Sequence, residues 1–342
     1  MVTLAPASSI AATPVAFVRA MLQAYANAGL SPDSALQVAQ IAPSDVMKLT
    51  GHITAWQMQQ MSGHAMRELD DEALGWFSRR LPWGSYGMLV RASISAPTLD
   101  LALVRWCRHH ALIAPDITLS LQVAGDTANI TIAEHSQLGA LREFCLVSVL
   151  RNIYGVACWL VDSRIALQQA HMPFAPPPHH ADYAVLFPCI TVFNATQASI
   201  SFDARYLGLS LRRDEKALQT MLQNALPLTV LQYRRDRLLV QQVRQALTSH
   251  PADTHSAEGL AALLNVSPRT LHRQLREEGA SLQALKDSVR RDRATDLLLR
   301  TQRPIKQVAE AAGFMNEKSF IRAFKVWTGT SPAEFRRQSA IE

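Results

Sequence analysis

Two sets of cations in this chain have a spacing that could do chemistry together. Arg269, Arg273 and Arg276 recur at i, i+4 and i+7, and so do Lys318, Arg322 and Lys325. On a helix each set shares one face. An arginine there can donate two parallel hydrogen bonds to O6 and N7 of a guanine, and a threonine can meet a thymine methyl. Thr270 and His272 border the first set, while Asn316, Glu317 and Ser319 stand at the N-terminal end of the second. That end of a recognition helix usually meets base edges. Glu317 has two readings, accepting from cytosine N4 or simply favouring the helix dipole.

The elements that must hold these faces are legible around them. In LAALLNVSPRTLHRQL (260–275), Leu260, Leu263 and Leu264 form the apolar stripe of a supporting helix. Asn265 makes the turn, because asparagine tolerates left-handed geometry. Ser267 caps the next helix, Pro268 fits its first position, and Leu271 and Leu275 point inward. In VAEAAGFMNEKSFIRAF (308–324) the pattern returns about 48 residues later. Val308 and Ala309 support, Gly313 turns, Asn316 caps, and Phe320, Phe324 and Trp327 point inward. Gly329 ends that helix and Ser331-Pro332 opens a last short one.

Leu282 to Arg300 contains no Gly or Pro. As a helix it is about 28 Å long, against about 34 Å between successive major grooves on one face of B-DNA. Arg290, Arg291 and Arg293 make it basic midway, either for phosphate contact or as a solvated face beside Asp287 and Asp292. The expectation is an all-α C-terminal domain, 257–342. Two helix-turn-helix units (257–279 and 304–328), joined by a long helix, lie in two consecutive major grooves of double-stranded DNA. The halves differ, so an asymmetric site bound by one chain fits better than a palindrome.

The 342 residues suffice for two domains, and 48% hydrophobic with 18% charged is globular. The net charge of +6 permits nucleic acid. From Asp253 onward there are 15 Lys/Arg against 11 Asp/Glu, and before it 19 against 17, so the C-terminal part is more basic per residue. Cys107, Cys145, Cys158 and Cys189 are scattered in apolar surroundings, which suits buried thiols in a reducing cytoplasm. Cys107, between Arg105 and Arg108, is the one weak redox candidate. MVTLAPASSIAATP lacks the basic start and apolar core of a signal peptide. The apolar run Cys145 to Val161 is interrupted by Arg151 and Asn152 and reads as a buried helix, not a membrane span. The protein is therefore expected in the cytoplasm.

The N-terminal domain is assigned 1–245, with a polar linker at 246–256. Its first part reads as helices: a run from Val15 stopped at Gly29, one opened by Ser31-Pro32, Ile53 to Leu69, and a short fourth at Asp71 to Phe77. From Trp83 the pattern turns α+β. Thr98 to His110 is a helix, and Ile117 to Val123 with Ala128 to Ala133 a hairpin. Leu141 to Val161 is a helix, Arg164 to His171 a strand, and Ile190 to Phe193 with Ala198 to Phe202 a second hairpin. The sum is a helical start followed by a small antiparallel sheet with helices. Asp214 to Leu247 is helical, interrupted at Pro227. Its Leu218, Leu222, Leu231, Leu238 and Val243 either pair two chains as a homodimer or pack onto their own domain.

A sensing domain needs a concave apolar pocket with a few polar groups. Trp83, Tyr86 and Arg91 cluster in sequence, and an arginine beside two aromatics suits a carboxylate-bearing ligand; core packing plus a surface arginine is the simpler alternative. His109-His110 and His179-His180 lack Cys or acidic neighbours in a chelating pattern and read as surface or loop histidines, so no metal is expected. Gly84-Ser85-Tyr86-Gly87 is not a nucleophile elbow, and no phosphate or dinucleotide fingerprint occurs. No cofactor and no enzymatic activity are expected.

At VSPRTLHRQLREEG (266–279) and GFMNEKSFIRAFKVWTGTSPAEFRR (313–337) the chain resembles the AraC/XylS family of bacterial transcription regulators, over about residues 240–340. LVRASISAPTLDLAL (89–103) and HHADYAVLFPCITVFNATQASISFDARYL (179–207) resemble the so-called arabinose-binding sensor domain of ornithine-utilisation-type regulators. The likeness departs after Leu207, at LGLSLRRDE. The resemblance implies a regulator whose recognition helices enter consecutive major grooves, with Arg269, Arg273, Lys318, Ser319 and Arg322 facing the contact, and whose N-terminal domain binds a small-molecule effector. Activation is the family's usual outcome, with RNA polymerase as a further partner; repression is equally compatible with these residues. The alternative is a DNA-binding regulator set by a protein partner or by expression level, with no small ligand. An enzyme fused to a DNA-binding tail is the third reading.

Overall fold

In the computed structural model, which describes residues 11–48, 50–222, 238–250, 256–277 and 280–339, a strand β1 (Ala11–Pro14) leads straight into α1 (Val15–Ala28). Val15, Val18, Met21 and Tyr25 are buried on one face of α1, and Gly29 ends it at φ +69°. Short helices α2 (Asp33–Val38) and α3 (Pro43–Val46) follow, then β2 (His52–Thr54) and α4 (Ala55–Glu68). Ile53 thus belongs to a strand paired antiparallel with β1, not to the helix expected from Ile53 to Leu69. Thr54 explains the boundary: its hydroxyl accepts the Gln57 N–H, and the Gln57 side chain accepts the Thr54 N–H. This capping box fixes the helix start.

Asp71 to Phe77 is a turn, not the helix the periodicity suggested. The Asp71 carboxylate accepts N–H bonds from Ala73, Gly75 and Leu81 at 2.8–3.0 Å, offering the backbone a partner that a helix cannot match. Leu74 and Gly75 both take positive φ there. Beyond it run α5 (Ser85–Ile94), which the sequence reading missed, and α6 (Leu99–Ile113).

The hairpin β3 (Ile117–Ala124) and β4 (Thr127–Glu134) closes around Gly125-Asp126 as expected, in register from Ala124↔Thr127 to Ile117↔Glu134. Next come α7 (Arg142–Val161), β5 (Leu167–His171), a helical turn α8 (Tyr183–Leu186), β6 (Ile190–Val192) and β7 (Ala198–Asp203). The sheet order is β3-β4-β7-β5-β6, with only β5 and β6 parallel. The second expected hairpin is therefore corrected: β6 and β7 are both strands, but β5 lies between them. Burial gives the reason. Ala198, Ile200, Ser201 and Phe202 make β7 a central strand buried on both faces, whereas Ile190 is 69% exposed and suits an edge.

Helix α7 is buried from Phe144 to Val161 except for half-buried Ser148 and Asn152, and ends at Asp162 in left-handed geometry (φ +51°). Gly139–Val161 is long and apolar enough to cross a membrane, but 89% of an apolar 18-residue stretch within it is buried in this domain, as a core helix would be.

The described part of the first unit closes with α9 (Glu215–Leu222), whose Leu218 is fully buried. The chain divides into units Met1–Asp236 and Arg237–Glu342, so the boundary expected at 245 moves upstream. The helix α10 (Leu238–Ser249) belongs to the second unit, where Val243, Ala246 and Leu247 join Leu260, Ala261, Leu271, Leu275, Leu282 and Leu285 in one core. Leu218 and Val243 are thus packed within their own units rather than offered to a second chain. Leu231 lies outside the described residues, as does part of the expected linker.

The rest of the second unit comprises α11 (Ala257–Leu263), α12 (Pro268–Glu277), α13 (Leu282–Arg300), α14 (Ile305–Ala311), α15 (Glu317–Thr328) and α16 (Pro332–Ser339). Helix α13 matches the expected span and serves two small cores. Its start supplies Leu282 and Leu285 to the first; its end supplies Ala294 and Leu298 to a second, with Val308, Ala309, Ala312, Phe320 and Phe324. One expected stripe residue fails. Leu263 is 39% exposed, and Ala261 is buried in its place.

Candidate nucleic-acid interface and enclosed cavity

Each of α12 and α15 is aimed by a turn and a cap. Before α12, Asn265 takes φ +54°, and Ser267 Oγ accepts the Thr270 N–H at 3.1 Å. Before α15, Gly313 takes φ +82°, and Asn316 Oδ1 accepts the Ser319 N–H at 2.8 Å. The Asn316 oxygen is therefore committed to the cap. Leu271 and Leu275 anchor one helix and Phe320 and Phe324 the other, all fully buried. The opposite faces follow from the 3.6-residue repeat. Arg269, His272, Arg273 and Arg276 are exposed and Thr270 half-buried on α12, while Glu317, Lys318, Ser319, Arg322 and Lys325 are exposed on α15.

Two exposed apolar side chains beside the second face escaped the sequence reading. Met315 is 97% and Val326 80% exposed, and Val326 lines a shallow groove with Lys318, Ile321, Arg322 and Lys325. Trp327, expected inward, is half-buried with its ring 5.8 Å from that of Phe314. The basic middle of α13 resolves partly. Arg290 lays its guanidinium 5.3 Å from the Phe314 ring, a cation–π contact that ties α13 to the second turn.

The N-terminal unit holds a partly open cavity of about 160 Å³ between α1, α4, the 70–84 loop, α5, α6 and α7. Phe17, Trp76, Phe77, Tyr86, Trp106 and Phe144 give it aromatic walls. Of the three residues expected to line a pocket, Tyr86 does so, and Trp83 stands at its rim, 51% exposed with the Arg67 guanidinium 5.2 Å from its ring. Arg91 does not. It is exposed and ion-paired with Glu215 at 2.7 Å. Tyr86 and Arg91 are five residues apart on α5, hence about 140° apart around it. The arginine in the cavity wall is Arg151, whose Nη1 donates to the Leu186 carbonyl at 2.6 Å. Its signal was the charge interrupting an otherwise apolar helix.

Glu72 also lines the cavity and accepts the N–H groups of Gly84 and Tyr86 at 2.7 and 2.6 Å; burial holds its carboxyl above the usual range.

The histidine expectation is corrected at two positions. His110 is 5% exposed and faces the cavity from α6, and His179 is 8% exposed, 2.7 Å from Glu143. Among the described residues, no group of three or more His, Cys, Asp or Glu is placed to hold a metal. The redox candidate also fails. Cys107 is 7% exposed, and burial pushes its thiol up to about 12.

Burial pushes the His110 imidazole down to about 4. The unfolded chain, with an ordinary histidine near 6.5, binds the proton first as pH falls. The stability contributed by neutral His110 is thus complete above about 6.5 and is lost on descending through 4. At pH 5 the loss is about 2 kcal/mol relative to pH 7. Denaturant titrations of the full chain and of His110→Leu at the two pH values check this. The variant's loss is expected to be smaller by that amount, and equal losses would contradict it.

Residues 29–211 match the arabinose-binding N-terminal domain of AraC transcription regulators, and residues 260–338 match a helix-turn-helix domain. The chain is 28% identical to the ornithine utilization regulator of Pseudomonas aeruginosa, over 94% of this chain and 96% of that one. It is 34% identical to the arabinose operon regulatory protein of Salmonella typhimurium over 28% of this chain and 35% of that one. Among solved structures, the DNA-binding domain of AdpA in complex with a target DNA is 30% identical, covering 29% of this chain and 90% of that one with a TM-score of 0.26. A mixed helix-and-sheet domain joined to a helix-turn-helix domain is the build of a DNA-binding transcription regulator. The chain belongs to the AraC family of these regulators.

Proposed function

We propose that this AraC-family protein reads one asymmetric DNA site with both helix pairs, and that a small molecule in the N-terminal cavity controls it. Helices α12 and α15 enter consecutive major grooves, with α13 as the spacer. Arg269, Arg273, Lys318, Ser319 and Arg322 face base edges or phosphates. Thr270, His272, Arg276, Glu317 and Lys325 flank them. The protein acts in the cytoplasm. Effector binding shifts the population of DNA-competent arrangements.

The observation that carries the reading is the pairing of exposure with anchoring. Each cationic face stays exposed on a capped helix whose opposite face carries two fully buried anchors, Leu271 and Leu275 or Phe320 and Phe324, so the cations are presented on rigid supports. The faces differ, one built of three arginines and the other mixed around Glu317 and Lys318. Selection of bound sequences from random duplex DNA by the full chain is expected to yield two unlike segments, centred about 10 base pairs apart. A symmetric palindrome would overturn the reading.

A further inference from the structure

We propose that the N-terminal cavity takes an uncharged single-ring compound carrying a hydrogen-bond acceptor oxygen, held by Trp76, Tyr86 and His110. This rests on the reading that the unit senses a small molecule, and narrows it to a chemical class. Among the described residues, Trp76 Nε1, Tyr86 Oη and His110 Nδ1 are buried with no hydrogen-bond partner, and all three residues line this one cavity. Each such orphan has lost its hydration without gaining a partner, which destabilises the empty cavity. Three around one cavity mark where a ligand supplies what the protein withholds.

The chemistry of the orphans sets the ligand's head. The Trp76 indole can only donate, while the Tyr86 hydroxyl and a neutral imidazole can donate or accept. Burial keeps His110 neutral at pH 7. The ligand must therefore offer an acceptor. The charges in the wall argue against a charged head. The Glu72 carboxylate is occupied by the Gly84 and Tyr86 N–H groups, and Arg151 Nη1 by the Leu186 carbonyl. An anionic head would meet Glu72 and a cationic one Arg151, and either would give up its hydration in an apolar cavity.

The walls set the body. Trp76 meets Phe144 at 5.3 Å between centroids, Phe77 meets His110 at 6.2 Å, and Tyr86 meets Trp106 at 5.7 Å, all edge to face. A flat ring adds to such an arc at favourable angles. The volume, about 160 Å³, is close to the roughly 150 Å³ of an apolar cavity known to accept benzene.

Calorimetry and thermal unfolding of the full chain with acetophenone test this, beside toluene (the ring without the oxygen), benzoate (the ring with a charge) and L-arabinose (a polyol). Acetophenone is expected to raise the unfolding temperature and to bind about ten-fold tighter than toluene, with no shift from benzoate or arabinose. Tyr86→Phe is expected to weaken acetophenone about ten-fold. Trp76→Phe serves the same purpose if the first variant does not fold. Equal binding of toluene and acetophenone, or stabilisation by benzoate or arabinose without acetophenone, overturns the ligand class and leaves small-molecule control standing. No stabilisation by any of the four, nor by a cell metabolite extract, overturns both.

Discussion

Phe324→Ala is expected to remove DNA binding altogether by unfolding the second helix pair. Phe324 is fully buried in a core of seven buried residues among those described. Its ring meets those of Phe320 and Phe335, each at 5.5 Å. Truncation removes a contact along α15 and the contact from α15 to α16 at once. The usual cost of a buried Phe→Ala change is about 3–5 kcal/mol, comparable with the whole stability of a small domain, roughly 5–15 kcal/mol. The N-terminal unit has its own core and should keep its transition. Calorimetry of the full chain should show one transition lost or sharply lowered and the other unmoved, with specific DNA affinity gone. Retained affinity with both transitions intact would show that this core does not hold the recognition helix.

Arg273→Ala and Arg322→Ala are expected to weaken specific binding by about 1–3 kcal/mol each, roughly ten- to more than a hundred-fold. More telling than the size is where specificity relaxes. Each arginine stands on a different helix, so each variant should lose preference at positions in a different segment of the site. Arg300→Ala is a fair control, since Arg300 is exposed and pairs with Asp296 within its own helix. Competition assays against single-base variants of the selected site provide the measurement. Relaxation in the same segment by both variants would place both helices in one groove.

What was legible in the sequence was local chemistry. Asn265, Gly313, Ser267, Asn316 and Gly329 took the turns and caps their side chains favour, because those preferences depend on a few neighbouring atoms. The 19-residue α13 was legible for the same reason, bounded by the Ser281 cap and containing no breaker. What was not legible depended on distant partners. The β1–β2 pair joins residues some forty apart, and β5 inserts between β7 and β6 through contacts that no local pattern announces.

The cavity divides the same way. Tyr86 lines it, whereas Arg91, close to it in sequence, does not, because helical spacing turns the two apart. His110 shares a helical face not with its neighbour His109 but with Trp106, four residues away, and both line the cavity. In sequence Arg151 is only an interruption of an apolar run. A charge inside a buried helix must have partners, but which ones, and that it stands in a cavity wall, depends on Leu186 and other distant residues.

In the proposed binding mode one chain spans two consecutive major grooves with unlike helices. Hydroxyl-radical footprinting of the full chain on its selected site tests this most directly. Two protected segments are expected on one face of the duplex, about one helical turn apart, with Arg273→Ala exposing one and Arg322→Ala the other. A single short protected segment, unchanged in position by either substitution, would contradict it.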